Sequence, residues 1–367
     1  MMRRIIEASL RLRVLLIAPA AALQVSQVGA QTVPSLRFNG DFRVRYEYTS
    51  AGNGALALGR EVVRFRLGLT YPLRPDITVR ARVATGDPGD PNSTDVTLGS
   101  FVDDLAFTLD VASVEITKPH WAAFAGKFFN PLQYTELVWD GDVNPQGVAA
   151  RGMLGDRAKV SATVTGLYFI VDQQANNLSS DMGGGQLTVS APAGSRWRVS
   201  GSAGYYDYRI RSLTAANSGD TRSNRLAPGG LAYLSDFNLL DLLLAVDYSG
   251  IGERYPLRLV GDYVHNSGAN DLNSGWGADV FVGRAASQGD LRYRYGYGVT
   301  DADAVLAAFS HDNTTLGTNY EIHTLSLDAV PLGGLFLNAT LYHYRPHVAV
   351  PGRKYQNRLR LNAMVTF

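Results

Sequence analysis

The residues in this chain able to do chemistry are arginines and carboxylates. Lysine occurs only as Lys118, Lys127, Lys159 and Lys354, so almost all the positive charge is arginine. Four pairs recur with one residue between their members: Arg43 and Arg45, Arg64 and Arg66, Arg80 and Arg82, Arg358 and Arg360. That spacing puts both members of a pair on one face of an extended strand. A guanidinium stays charged and grips carboxylate or phosphate through a planar fork. Pairs of this kind suit a wall that meets anions; they do not suit proton transfer. Catalytic constellations are missing. The 367 residues hold no cysteine, which excludes disulfides, thiolate metal sites and a cysteine nucleophile. His120, His265, His311, His323, His343 and His347 form no H-E-x-x-H, there is no G-x-S-x-G, and Gly183-Gly184-Gly185 is followed by no helix and no lysine. Asp87-Pro88-Gly89-Asp90-Pro91-Asn92 with Asp95 offers oxygen ligands but lacks a calcium-loop spacing and reads as an acidic loop. No enzyme, cofactor or metal is expected. A net charge of +1 gives no reason to expect a nucleic-acid partner.

The elements that must position the arginines are strands. In segment 36–48, Leu36, Phe38, Phe42, Val44, Tyr46 and Tyr48 alternate with Arg37, Asn39, Asp41, Arg43, Arg45 and Glu47. Period two means one apolar and one polar face. The same alternation recurs in about sixteen segments: 36–48, 60–71, 77–85, 105–117, 121–128, 147–153, 157–171, 183–191, 195–209, 237–249, 256–266, 275–284, 288–299, 318–330, 334–345 and 355–367. Beyond residue 30 no stretch reaches eighteen uninterrupted apolar residues, and even 239–246 is broken by Asp241, so transmembrane helices are excluded on pattern. Connections alternate in length. Short ones carry Pro and Gly (Pro72 with Pro75, Pro119, Gly155-Asp156, Pro192 with Gly194, Gly250 with Pro256, Pro331 with Gly333), whereas 86–104, 129–146, 210–236 and 300–317 are long and polar.

Residues 1–30 read as an export signal: Arg3, Arg4, Arg11 and Arg13, an apolar stretch at 14–23, then Val28-Gly29-Ala30 before Gln31. The expected fold is all-β, a transmembrane antiparallel β-barrel over residues 31–367 in the Gram-negative outer membrane. Short periplasmic turns and long extracellular loops are its mark. In lipid each unpaired backbone group costs several kcal/mol, so the strand ending at Phe367 must pair with the strand beginning near Leu36. That closure makes the four arginine-bearing strands consecutive, a basic ladder on one lumen wall. Facing lipid, each arginine near the midplane would cost roughly 2–4 kcal/mol. Aromatic residues gather near strand ends (Tyr46, Tyr48, Tyr71, Trp121, Trp197, Tyr205, Tyr206, Tyr248, Trp276), as in interfacial girdles.

Some local sequence is more specific. Gly126-Lys127-Phe128-Phe129-Asn130-Pro131 with Val138-Trp139-Asp140-Gly141-Asp142-Val143-Asn144-Pro145-Gln146-Gly147 resembles the signature of the "putative porin" family of Gram-negative bacteria. Gly261-Asp262-Tyr263-Val264 with Asn266, Gly289-Asp290-Leu291 with Tyr295, and Asp303-Ala304-Val305 resemble further blocks of it. The resemblance implies an outer-membrane pore and runs over essentially the whole chain after residue 30. It implies that loop 129–146 folds into the lumen, setting Glu136, Asp140 and Asp142 against the arginine wall as a transverse field. Trp139, Pro131 and Pro145 would stiffen that loop. It further implies a homotrimer, and a terminal Phe367 read by the outer-membrane assembly machinery. The expected activity is passive diffusion of small hydrophilic solutes and ions through an aqueous channel, with outer-membrane lipid around it. A substrate-specific channel for anions or oligosaccharides, and a plugged structural or adhesive barrel, stand as the alternatives.

Overall fold

Alternating side chains force the backbone into strands whose two faces need different solvents. A computed structural model describes residues 35–52, 56–99, 102, 104–156, 158–175, 179–252, 254–348 and 354–367; the expected export signal lies outside them. Among the described residues there are seventeen strands: β1 (Arg37–Thr49), β2 (Leu58–Arg74), β3 (Ile77–Thr85), β4 (Val96–Leu98), β5 (Phe107–Thr117), β6 (Trp121–Lys127), β7 (Gln146–Gly155), β8 (Ser161–Asp172), β9 (Ser180–Pro192), β10 (Trp197–Arg209), β11 (Phe237–Tyr248), β12 (Leu257–Asn266), β13 (Ser274–Gly283), β14 (Leu291–Thr300), β15 (Tyr320–Leu332), β16 (Leu335–Pro346) and β17 (Gln356–Thr366). One short helix, α1 (Ser218–Thr221), lies in the connection after β10.

Sixteen of these strands pair antiparallel in chain order and the last returns to the first, which closes a barrel. At the closure Asp41 lies opposite Thr366 and Thr49 opposite Arg358. Gly40 N donates to the Phe367 carbonyl at 2.8 Å, and Phe367 N to the Gly40 carbonyl at 3.1 Å. The remaining strand, β4, continues the ladder beside Glu61, Val62 and Val63 of β2, above the point where β3 turns away at Thr85.

Burial is the inverse of a water-soluble sheet. Phe42 is 43 % exposed and its neighbours Val44, Tyr46 and Tyr48 are likewise open, while Glu47 between them is 1 % exposed. The apolar face therefore points out to lipid and the polar face into the lumen, as the sequence pattern requires. The strand expected at 157–171 begins only at Ser161, and the expected polar loop 86–104 contains β4. A register shift between Arg82 and Val83 against β5 turns both Asp110 and Val111 inward, so a residue that breaks strict alternation still faces the lumen. Two expectations need correction. Tyr206 is no girdle residue: it points inward and is fully buried. Segment 300–317 is not merely a polar outer loop, because its apolar run buries Ala304, Val305 and Ala307 completely.

Candidate functional site

The eight arginines of the expected ladder stand on the inward faces of β17, β1, β2 and β3, four adjacent staves. None is alone. Arg43 and Arg45 share Asp95, Arg64 and Arg66 share Asp41, Arg80 meets Glu115, Arg82 meets Asp110, and Arg358 and Arg360 share Glu47. Arg66 also reaches Asp142 at 2.9 Å, and Arg360 reaches Asp312 at 3.4 Å. Eight guanidiniums thus face seven carboxylates, so the wall is an ion-paired lattice of nearly balanced charge. Removing a charge from water demands a partner, and Asp41, Glu47, Asp110 and Glu115 occupy the same polar faces as the arginines. The ladder also divides by depth. The Arg360 side chain is 4 % exposed and those of Arg45, Arg64 and Arg358 are nearly as enclosed, whereas Arg80 keeps 36 %.

Segment 128–145 begins and ends at a pair of glycines. Gly126 and Gly147 lie opposite each other across β6 and β7. Their φ angles of 104° and 146° are ones that L side chains rarely adopt. A Cβ on Gly126 would sit 2.3 Å from the Ala112 carbonyl oxygen. From this root the segment bonds to staves that are not neighbours in the ring. Gln133 exchanges two 2.7 Å hydrogen bonds with Gln186 of β9. The Thr135 hydroxyl donates to Asp262 of β12. Asp142 accepts from Arg66 of β2 at 2.9 Å and from Thr94 at 3.1 Å.

The three acidic residues expected to face the arginines do not behave alike. Only Asp142 pairs with the wall. Glu136 accepts from the Asn313 amide at 2.7 Å. Asp140 accepts the Asp142 N–H at 2.8 Å and is buried. Burial, reinforced by Asp312, Asp142 and Glu136, raises its carboxyl well above the usual range. Segment 301–319 locks the arrangement from above: Asp140 N donates to the Phe309 carbonyl at 2.7 Å and His311 N to the Glu136 carbonyl at 3.2 Å. Trp139 is fully buried, stacked 6.0 Å from Phe309 and edge-on 5.9 Å from Tyr206. Phe169 and Tyr208 complete an aromatic block filling the β8–β11 side of the lumen, away from the arginines.

Sequence reasoning missed two parts of this site. One is that block, because only folding brings 139, 169, 206 and 309 together. The other is an acidic wall row: Asp241 and Asp262 on β11 and β12, both buried, and Asp279 on β13, paired with Arg294 at 2.7 Å. Its one signal was Asp241 interrupting an apolar run.

Residues 57–216 match the family described as putative porin. No curated protein matches in sequence. Solved structures share the fold at low identity. OmpF of Salmonella typhi, in complex with daunomycin, has 9 % identity and a TM-score of 0.55, with 91 % of this chain and 98 % of that one covered. The outer-membrane channel DcaP of Acinetobacter baumannii has 12 % identity and a TM-score of 0.52, with 93 % and 99 % covered. The trimer form of OmpT, an outer-membrane protein of Vibrio cholerae, has 10 % identity and a TM-score of 0.50, with 91 % and 100 % covered. Family and fold point to a channel rather than an enzyme. A closed barrel that turns its apolar face outward is the fold of the outer-membrane porins, and residues 57–216 of this one carry the match to the putative porin family.

Proposed function

We propose that this porin passes small hydrophilic solutes and ions down their gradients, selecting by size and charge where segment 128–145 narrows the lumen. The observation that carries the reading is the Arg66–Asp142 pair, which ties that segment to the wall opposite its aromatic anchor. The constriction is framed by the more accessible arginines Arg43, Arg66, Arg80 and Arg82. Arg45, Arg64, Arg358 and Arg360 serve as its buried support. Fields in such a gap act strongly, because low-dielectric walls focus them. The near-balance of arginine and carboxylate argues for weak ion preference. The aromatic block argues for a conductance below that of an unobstructed barrel of this size.

The rest of the reading concerns assembly. Residues 1–30 act as a cleaved export signal, Phe367 is read by the assembly machinery, and three copies associate in lipid; the trimeric OmpT structure supports the last point. Single-channel recording of refolded residues 31–367 in a planar bilayer, with a salt-gradient reversal potential, tests the pore. Discrete open steps with a small reversal potential are expected. A folded barrel that inserts and never conducts would overturn the reading in favour of a plugged barrel.

A further inference from the structure

The mouth of the barrel is divided. Arg222, at the C-terminal end of α1, donates to the Asn92 side chain at 2.8 Å and to the His311 carbonyl at 3.0 Å. Asn92 in turn donates to the Ser310 carbonyl at 2.8 Å. Three long connections are thereby stitched into a bridge with a cavity on each side. One, of about 560 Å³, is lined by five arginines, Arg45, Arg60, Arg222, Arg358 and Arg360, against three carboxylates, Asp90, Asp95 and Asp312. The other, of about 580 Å³, shares Asp90 with it but has the reverse charge excess, six carboxylates against Lys127.

The second cavity carries Asp87, Asp90, Asp172 and Asp220, none of which forms an ion pair among the described residues. Phe169, Ile210, Leu213, Tyr233 and Phe309 contribute its apolar lining. Asp110 and Asp142 of the lining are neutralised by Arg82 and Arg66, at 2.6 and 2.9 Å; among the described residues Lys127 in the lining and Arg222 beside it hydrogen-bond carbonyls. Lys127 donates to the Asn144 carbonyl at 3.0 Å. Arg222 makes the bridge bonds and a third, to the Gly219 carbonyl at 2.9 Å. Burial raises the Asp90 carboxyl; Arg222 opposes the shift, and Asp312 and Asp220 add to it. Four carboxylates without an ion pair thus outnumber the Lys127 and Arg222 charges, so the cavity holds an excess of negative charge beside greasy surface, within the volume range of small-molecule sites.

We infer that this cavity binds organic cations with an apolar body, the arylalkyl ammonium class, on their way into the lumen. The carboxylates take the ammonium, and Ile210, Leu213 and Tyr233 take the body, with a cation–π contribution from the Tyr233 ring. Inorganic cations gain nothing from that lining, and sugars gain nothing from its charge. The inference rests on the proposed permeation path but is tested separately from it.

The probe is phenethylamine, compared with neutral 2-phenylethanol, anionic 3-phenylpropionate and glucose. Binding is measured by titration calorimetry on the detergent-folded barrel, and current block in the bilayer. The variant is D87N/D90N; an asparagine at 87 keeps the turn bond that Asp87 accepts from Gly89 N. Phenethylamine is expected to bind and block, weakening about tenfold in the variant, as loss of one charge-assisted contact predicts. Equal binding of 2-phenylethanol or glucose, or unchanged phenethylamine binding by a variant with unaltered heat-modifiable mobility, overturns the inference. Calorimetric binding by a barrel that never conducts would sustain the site and sink the pore.

Discussion

Replacing Asp142 with Asn tests whether the constriction's charge balance governs ion preference. The change removes one carboxylate from the lattice of eight arginines and seven carboxylates and leaves its shape alone. Arg64 and Arg66 keep Asp41, at 2.9 and 2.8 Å. The segment keeps the Gln133–Gln186 exchange and the Asp140–Phe309 bond, so the narrowing should persist. An ion passing about 8 Å from the vacated charge loses or gains roughly 0.5 kcal/mol at the dielectric of water and about 1 kcal/mol at half that value. The anion gains what the cation loses, so the anion-to-cation permeability ratio should rise about six- to thirtyfold, read as a shift in zero-current potential across a tenfold salt gradient at low ionic strength. Raising the salt should shrink the effect, because screening shortens its reach. An unchanged reversal potential, with normal conductance and normal heat-modifiable migration, would refute the assignment of Asp142 to the permeation path.

Four further outcomes are expected. Arg360→Met strands Glu47, 1 % exposed, with a weakened set of partners, and should destabilise the barrel by about 3–5 kcal/mol in a urea refolding titration. Arg80→Gln, at the open end of the series, leaves the buried Glu115 without its guanidinium and should cost less than Arg360→Met, about 1–3 kcal/mol. Leu361→Arg puts a charge on a lipid-facing position that is 44 % exposed and should cost roughly 2–4 kcal/mol, read as loss of heat-modifiable folding in bilayers. The pH prediction concerns His311. Burial, with Arg222 opposing protonation and Asp312 favouring it, lowers its pKa from 6.5 to about 3, and its Nδ1 accepts the Asn313 N–H at 3.2 Å. The unfolded chain takes up that proton first, so stability present above pH 6.5 is lost as pH falls toward 3. Asp312, held at about 2 by Arg360, Arg45 and Arg222 against its burial, adds loss below 3.8, while Asp140 works the other way. His311→Gln should flatten the fall in thermal midpoint between pH 6.5 and 4; an identical slope would refute the buried neutral imidazole.

What was legible in the sequence follows from which solvent each residue must meet. A stave meets lipid on one side and water or protein on the other along its whole length, so alternation survives in 36–48 and 355–367 and returns as β1 and β17 paired at the closure. A three-residue strand such as β4 is too short for period two to register. The arginines were legible as a face, because lipid forbids them the other one. Their neutralisation was visible only in part: Asp41 and Glu47 share the face of Arg43 and Arg45, but Asp95, Asp142 and Asp312 arrive from connections whose path the pattern does not encode. The same holds for the run 304–309. Inside a long connection its apolar residues have no period, and only the aromatic cavity left by Phe169, Tyr206 and Tyr208 explains them. The walls of this barrel are therefore written locally, and the contacts inside it are written across the lumen. In the proposed reading, selectivity rests on contacts between segments 40 to more than 100 residues apart, such as Arg66 with Asp142 and Asn313 with Glu136. Two barrels with superimposable staves can consequently pass different solutes, and the low identity between this chain and its structural relatives leaves its constriction to be decided by its own residues.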